Sequence, residues 1–283
     1  MRSEPDARRF KAQQTRYWND AAAGWTAWIE WTERNFSRLT AWFADRGCWA
    51  PGARVLDVAC GAGYPALAAA ARVRPGGTVI ACDLSPAMIA VASATARARG
   101  IDNIEFQAMD AEALALEDSA IDVTTSAYGL MFCPDPQRAV REAYRVVKPG
   151  GRAAFATWDQ PENSPFFSVM IATAAGYVPF AAPDPVAPGP FRLSSPRELE
   201  EMMRAAGFAD VQVEKLAMRF ECASIDEYWQ ISTDVAWKSR LARLPDFQRA
   251  AFRDGVARAA QPFFVDGMLV LTAMSLCASG RKV

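Results

Sequence analysis

The sequence predicts an α/β fold: a mainly parallel sheet of seven strands with helices on both faces, plus N-terminal helices and a helical insertion that form a cap. Three observations predict it. Strand-like and helix-like segments alternate from Arg54 to Trp158, the pattern of parallel strands joined by crossover helices. A glycine turn, Gly61-Ala62-Gly63, follows the first strand and leads into an alanine-rich helix. Aromatic-rich helical segments without that alternation lie on either side, at 8–47 and 224–262. The chain has 283 residues and is 51 % apolar, enough for one large α/β domain or one domain with a sizeable insertion.

Residues 8–47 read as amphipathic helix with tryptophans at Trp18, Trp25, Trp28, Trp31 and Trp42, and the spacing of Trp25, Trp28 and Trp31 sets them close to one face. Two roles stay open for that face: docking on a core, or a lid lining a pocket. Val55–Ala59 reads as the first strand, Ala66–Arg72 as a helix and Thr78–Cys82 as the second strand. Pro86–Arg99 is a helix with Ser85 as N-cap and Pro86 at its first position. Ile104–Ala108 and Ala120–Ser126 are strands, Pro136–Val147 is a helix stopped at Pro149-Gly150-Gly151, and Arg152–Trp158 is a strand. Residues 159–192, with Asp184-Pro185 and Pro188-Gly189-Pro190, form a loop holding a short helix around Ser164–Gly176. A helix from Ser194 or Ser195 ends at Gly207, Val211–Phe220 is a strand, 224–262 is helical, and Leu269–Ala278 is the last strand.

Composition excludes several functions. A net charge of −1 leaves no basic footprint for nucleic acid. The charged N-terminus lacks the apolar core of a secretory signal, and no apolar run is long enough for a membrane span, so the expected location is the cytoplasm. The six cysteines form no C-x-x-C, and four of them fall in or beside apolar segments, so buried free thiols are expected. The chain contains no histidine, which removes the commonest general base and the Ser-His and Cys-His pairs.

Gly61, Gly63 and Ala66 match the G-x-G-x-x-G/A dinucleotide fingerprint, so an NAD-dependent oxidoreductase has to be weighed. Asp83 ends the second strand and would accept from ribose hydroxyls of any adenosine-like ligand. Asp57, at the end of the first strand, is expected to place a negative charge at the seat. It would repel a pyrophosphate by roughly 1–4 kcal/mol per charge pair and attract an ammonium or sulfonium. S-adenosyl-L-methionine carries both. Asp110, after the third strand, can accept from an adenine amino group.

The segments "VLDVACGAGYPALAAA", "VIACDLSPAMIAVA" and "FQAMDAEALALEDSAIDVTTSAYGLMFCPDPQRAVREAYRVVKPGGRAAFATW" resemble the class I S-adenosylmethionine-dependent methyltransferases, closest to the branch of ubiquinone/menaquinone-biosynthesis and natural-product enzymes. The resemblance is close over about residues 50–160 and looser through 195–216 and 278–282. It implies a Rossmann-like sheet. Asp57, Gly61 and Gly63 would hold the methionyl part, Asp83 the ribose, Leu84 and Met88 would pack near the adenine, and Asp110 and Ala111 would meet its edge. Ser126 and Tyr128 would flank the methyl group. Relatives often carry a histidine within the segment matching Leu130–Cys133, and its absence removes whatever contact they draw from it. The chain then divides into a lid (1–48), a cofactor-binding core (49–160), the rest of the core (161–223), a cap insertion (224–267) and a final strand (268–283).

Methyl transfer from a sulfonium is an in-line displacement, for which alignment and exclusion of water can suffice. Where a base is needed, Tyr128 and Asp159 rank first because both follow strand ends, ahead of Tyr17, Glu162, Asp226, Glu227 and Tyr228. Tyr17, Trp25, Phe132, Trp158 and Trp229 are expected to line the site of a small, partly aromatic or lipophilic acceptor. No metal site is expected, since Asp159, Glu162 and Asn163 are the sole hint of one. A binding protein without catalysis is a further reading, nucleic acid is not an expected partner, and a homodimer stays open.

Overall fold

The computed structural model describes residues 4–177 and 187–283; Asp184-Pro185 lies outside them. Three helices lead, α1 (Glu4–Ala27), α2 (Ile29–Asn35) and α3 (Ser37–Arg46). Then come β1 (Arg54–Val58), α4 (Ala66–Arg72), β2 (Thr78–Asp83), α5 (Pro86–Ala98), β3 (Ile104–Ala108), β4 (Ile121–Ala127), α6 (Pro136–Val146) and β5 (Val147–Trp158). The second half holds α7 (Pro165–Ala174), α8 (Pro196–Ala206), β6 (Ala209–Cys222), α9 (Ile225–Ser232), α10 (Lys238–Leu241), α11 (Asp246–Ala260), β7 (Phe264–Val265) and β8 (Met268–Arg281).

The sheet order is β3-β2-β1-β4-β5-β8-β6. The first five strands are parallel, and β8 runs antiparallel between β5 and β6. The seven expected strands are present, and the short β7 adds a hairpin partner at the start of β8. Strand order reverses between β1 and β4, which opens a crevice at their carboxyl ends. Alternation sends β1 side chains to two cores: Val55 joins Val79 and Val123 on one face, while Leu56 and Val58 join Ile80, Cys82 and Ile121 on the other. Ser85 caps α5, its Oγ accepting from Met88 N–H at 3.1 Å, and Ser195 caps α8, which stops at Gly207.

Two local expectations need correction. Pro149-Gly150-Gly151 does not separate helix from strand; β5 runs through it, with a register shift against β4 and a Gly150 N–H bond to Lys282 O at 2.7 Å that ties the irregular stretch to the chain's end. The tryptophan stripe does not share one face, because the helix breaks at Trp28. Trp25 packs beside Met88 and Ala62, the Trp28 indole donates to Asp234, and Trp31 stacks on Phe220. Cys48 is exposed, whereas Cys60, Cys82, Cys222 and Cys277 are buried. Among the described residues no helix is long and apolar enough to cross a membrane.

Candidate active site

A cavity of about 640 Å³ opens at the carboxyl ends of β1, β2, β3, β4 and β5. Its floor is the sheet edge, and its roof is α1, α2 and the π-helical turn Thr233–Trp237 that links α9 to α10. It has two chemically distinct ends.

At the first end, the loop after β1 turns back through Ala59 (φ 58°) and Gly61 (φ 53°). A Cβ at Gly61 would meet nothing within 4 Å, so the turn borders open space. Asp83 faces this space but is tightly held: one oxygen accepts from Gly61 N–H at 2.9 Å, the other from Ser85 N–H at 2.8 Å. Burial pushes its pKa up, against the pull of these donors. Leu84, Met88 and Ala111 complete the apolar wall. Asp110 follows β3; its Oδ1 accepts from Glu112 N–H at 2.9 Å and its Oδ2 from Lys11 Nζ at 2.6 Å. Lys11 reaches down from α1 and also donates to Glu112 at 2.6 Å. Farther along α1, Asn19 Oδ1 accepts from Ser85 Oγ at 2.7 Å, and Trp18 meets Phe132 edge-on at 5.1 Å. The helix is thus fastened across this end of the cavity.

The second end is aromatic. Tyr128 stacks on Trp158 with centroids 3.8 Å apart, and Phe36 and Phe167 pack against Trp158. Gly129 lets the β4 loop press against the β1 loop, since a Cβ there would lie 2.4 Å from Ala59 Cβ and 2.8 Å from Ser126 Oγ. Tyr17 closes the roof; its hydroxyl donates to Ala236 O at 3.3 Å.

Eleven residues expected at the site do line the cavity: Gly61, Asp83, Leu84, Met88, Asp110, Ala111, Tyr128, Phe132, Trp158, Tyr17 and Trp25. Trp25, however, sits with Trp18 beside Met88, at the first end rather than among the acceptor-side aromatics. Five others stand elsewhere. Asp57 lies behind the glycine turn, fully buried, accepting from Ala66 N–H at 3.1 Å and lying 3.3 Å from Thr125 Oγ1. Burial pushes its pKa up to about 8, so it does not present the fixed negative charge expected of it. Gly63 turns the chain behind the cavity, its α-carbon facing Leu67. Ser126 is buried with its Oγ unbonded. Trp229 packs edge-on against Phe252 inside the cap, because α9 turns it away from the sheet.

The two candidate bases both have their polar atoms bonded elsewhere. Asp159 is buried off the cavity, accepting from Lys215 Nζ at 2.7 Å, Gln160 N–H at 2.8 Å and Asn163 Nδ2 at 3.1 Å. Burial would raise its pKa, but these donors together hold it below the usual carboxylate range. The Tyr128 ring lines the cavity, yet its hydroxyl shares a 2.7 Å bond with buried Ser275, and burial holds the phenol well above its ordinary pKa. The carboxylates that do reach the cavity, Asp83, Asp110 and Glu112, follow β2 and β3 at the far end from Trp158. Sequence reasoning missed Lys11, Glu112, Gly129, Arg240 and Arg243. Glu112 alone had a signal, two residues past Asp110; the others depend on how α1 and the cap fold back.

The order of the sheet, the glycine turn and the acids after β2 and β3 define a Rossmann-like α/β protein with an adenosyl-type seat at its switch point. The sequence model of the ubiE/COQ5 methyltransferase family matches residues 36–182, just over half the chain, and the chain belongs to that family. The demethylmenaquinone methyltransferase of Thermus thermophilus is 34 % identical over 169 residues, 55 % of this chain and 74 % of that protein. An uncharacterized protein of Mycobacterium tuberculosis is 40 % identical over 134 residues, 47 % of this chain and 46 % of that protein, so the match spans about half the length of such relatives. The crystal structure of YcgJ from Bacillus subtilis shares the fold with a TM-score of 0.59 and 23 % identity, over 87 % of this chain and 98 % of that one.

Proposed function

We propose that the protein transfers a methyl group from S-adenosylmethionine to a small, partly aromatic or lipophilic acceptor. The observation that carries this reading is one cavity with two ends, an acid-and-glycine seat and an aromatic chamber, under a common roof. The seat fits the donor molecule. Each Asp83 oxygen spends one lone pair on a backbone N–H and keeps another for a ribose hydroxyl. The open space at Gly61 admits the methionyl part, and Leu84 and Met88 supply an apolar wall for an adenine. An adenine amino group at Asp110 would share that carboxylate with Lys11. When bound, the cofactor supplies an electrophilic methyl on a sulfonium. Asp57 supports this seat indirectly, by fixing Ala66 N–H at the start of α4 and so the turn before it.

The chain's contribution to the chemistry is placement. Tyr128 and Trp158 offer a flat shelf for an acceptor ring, and α1 and α2 exclude water above it. Among the described residues no carboxylate or free phenol stands at that shelf, which favours an acceptor that is itself a competent nucleophile. The test is binding of S-adenosylhomocysteine by calorimetry, for wild type and Asp83→Asn. Losing a ribose bond to a buried carboxylate should weaken affinity by roughly 10–150-fold. Stabilisation by NAD alone, or unchanged affinity in the variant, would overturn the reading.

A further inference from the structure

The roof of the aromatic chamber carries two cations that neither the donor seat nor the aromatic shelf uses. Arg240 and Arg243 line the cavity beside Ala236 and Ser239. Ala236 lies in the π-helical turn, Arg240 in α10 and Arg243 in the turn that follows it, and all three line the cavity. The π-helical turn at Thr233–Trp237 leads directly into α10, which carries Arg240; such turns recur at functional sites. Other arginines, Arg46, Arg145, Arg192 and Arg253 among them, each hold a carboxylate. Arg240 has no acidic partner among the described residues and rests on the Trp237 ring at 5.5 Å; Arg243 likewise has no side-chain partner there. Lys11, the remaining cation of the lining, is neutralised by Asp110 and Glu112 at the opposite end. Arg240 also acts on the chamber: its charge opposes the rise that burial imposes on the Tyr17 phenol. A cavity lined by aromatic residues and by two guanidinium groups with no acidic partner among the described residues suits a ligand with an aromatic body and an acidic group.

We propose that the acceptor carries an oxyanion group, a carboxylate or its equivalent, held by Arg240 and Arg243 while its ring lies on the Tyr128–Trp158 shelf. This rests on the methyltransferase reading.

The experiment uses a matched pair of fluorescent probes, 8-anilinonaphthalene-1-sulfonate and N-phenyl-1-naphthylamine, which share a ring system and differ in the sulfonate. Both are titrated into the full chain saturated with S-adenosylhomocysteine. Wild type should bind the sulfonate about tenfold more tightly than the neutral probe, a preference of the size expected for one charge-assisted contact. The Arg240→Gln/Arg243→Gln double variant should lose that preference with neutral-probe affinity unchanged, and Arg240→Lys/Arg243→Lys should keep part of it. Absence of a preference in wild type overturns the proposal, as does a preference that survives in the glutamine variant or an equal loss of both probes. S-adenosylhomocysteine affinity, measured on the same samples, should not change. Failure of wild type to bind it would sink the methyl-donor reading, separately from the fate of the arginines.

Discussion

Replacing Asp57 by asparagine should make the protein more stable, and increasingly so as pH rises. Asp57 has no exposed surface, and its oxygens meet Ala66 N–H and Thr125 Oγ1. The Thr125 hydroxyl lies 3.3 Å from Asp57 and 3.4 Å from Leu56 O, but it has one proton to give. A protonated Asp57 resolves the conflict by donating to Thr125, which then donates to Leu56. Burial is the main cause that raises the carboxyl from 3.8 to about 8, and nearby Asp83 adds to it. The sign is the reverse of the usual carboxylate. The native state holds a proton that the unfolded chain releases above 3.8, so stability is lost as pH climbs from there and levels off above about 8. Asparagine mimics the neutral acid and does not titrate. Each unit is worth 1.36 kcal/mol, so the advantage of Asp57→Asn should grow by about 2 kcal/mol between pH 6.0 and 7.5. Urea unfolding of both proteins without added cofactor, followed by circular dichroism, measures it. A difference that stays flat across that range would mean that Asp57 folds as an ordinary ionised carboxylate, and the reasoning would fail.

Tyr128→Phe should leave kcat and its pH profile within about twofold for whichever acceptor supports turnover, while thermal unfolding shows a loss of about 1 kcal/mol from the Ser275 bond; a collapse of kcat alone would restore the phenol as a base. Gly129→Ala should cost about 1–3 kcal/mol in urea unfolding, because its Cβ meets Ala59 Cβ at 2.4 Å and Ser126 Oγ at 2.8 Å; a loss under about 0.5 kcal/mol would show that the two loops can part.

The core of the fold was legible because its signals are local. Strand-turn-helix units read from β-branched runs, the Gly61 turn and the serine caps at Ser85 and Ser195, each within a few residues of the next. The acids after β2 and β3 were legible for the same reason: strand ends converge on one sheet edge. Asp57 reads correctly as part of the first strand, but sequence does not show that the loop closes over it and removes solvent. The bonds that occupy Tyr128 and Asp159 are illegible for another reason. Their partners, Ser275 and Lys215, lie on β8 and β6, strands from the distant end of the chain. Trp25 and Trp229 could not be assigned by spacing, because a helix break at Trp28 and the packing of α9 on α11 decide where each indole points.

Helix α1 touches both ends of the cavity. Lys11 grips the acids after β3, Asn19 the cap of α5, and Tyr17 the carbonyl of Ala236 in the opposite roof. A rigid rod with attachments at both ends behaves as a lever. On the methyl-transfer reading, a tilt of α1 that opened the donor end would also shift the wall over the aromatic end.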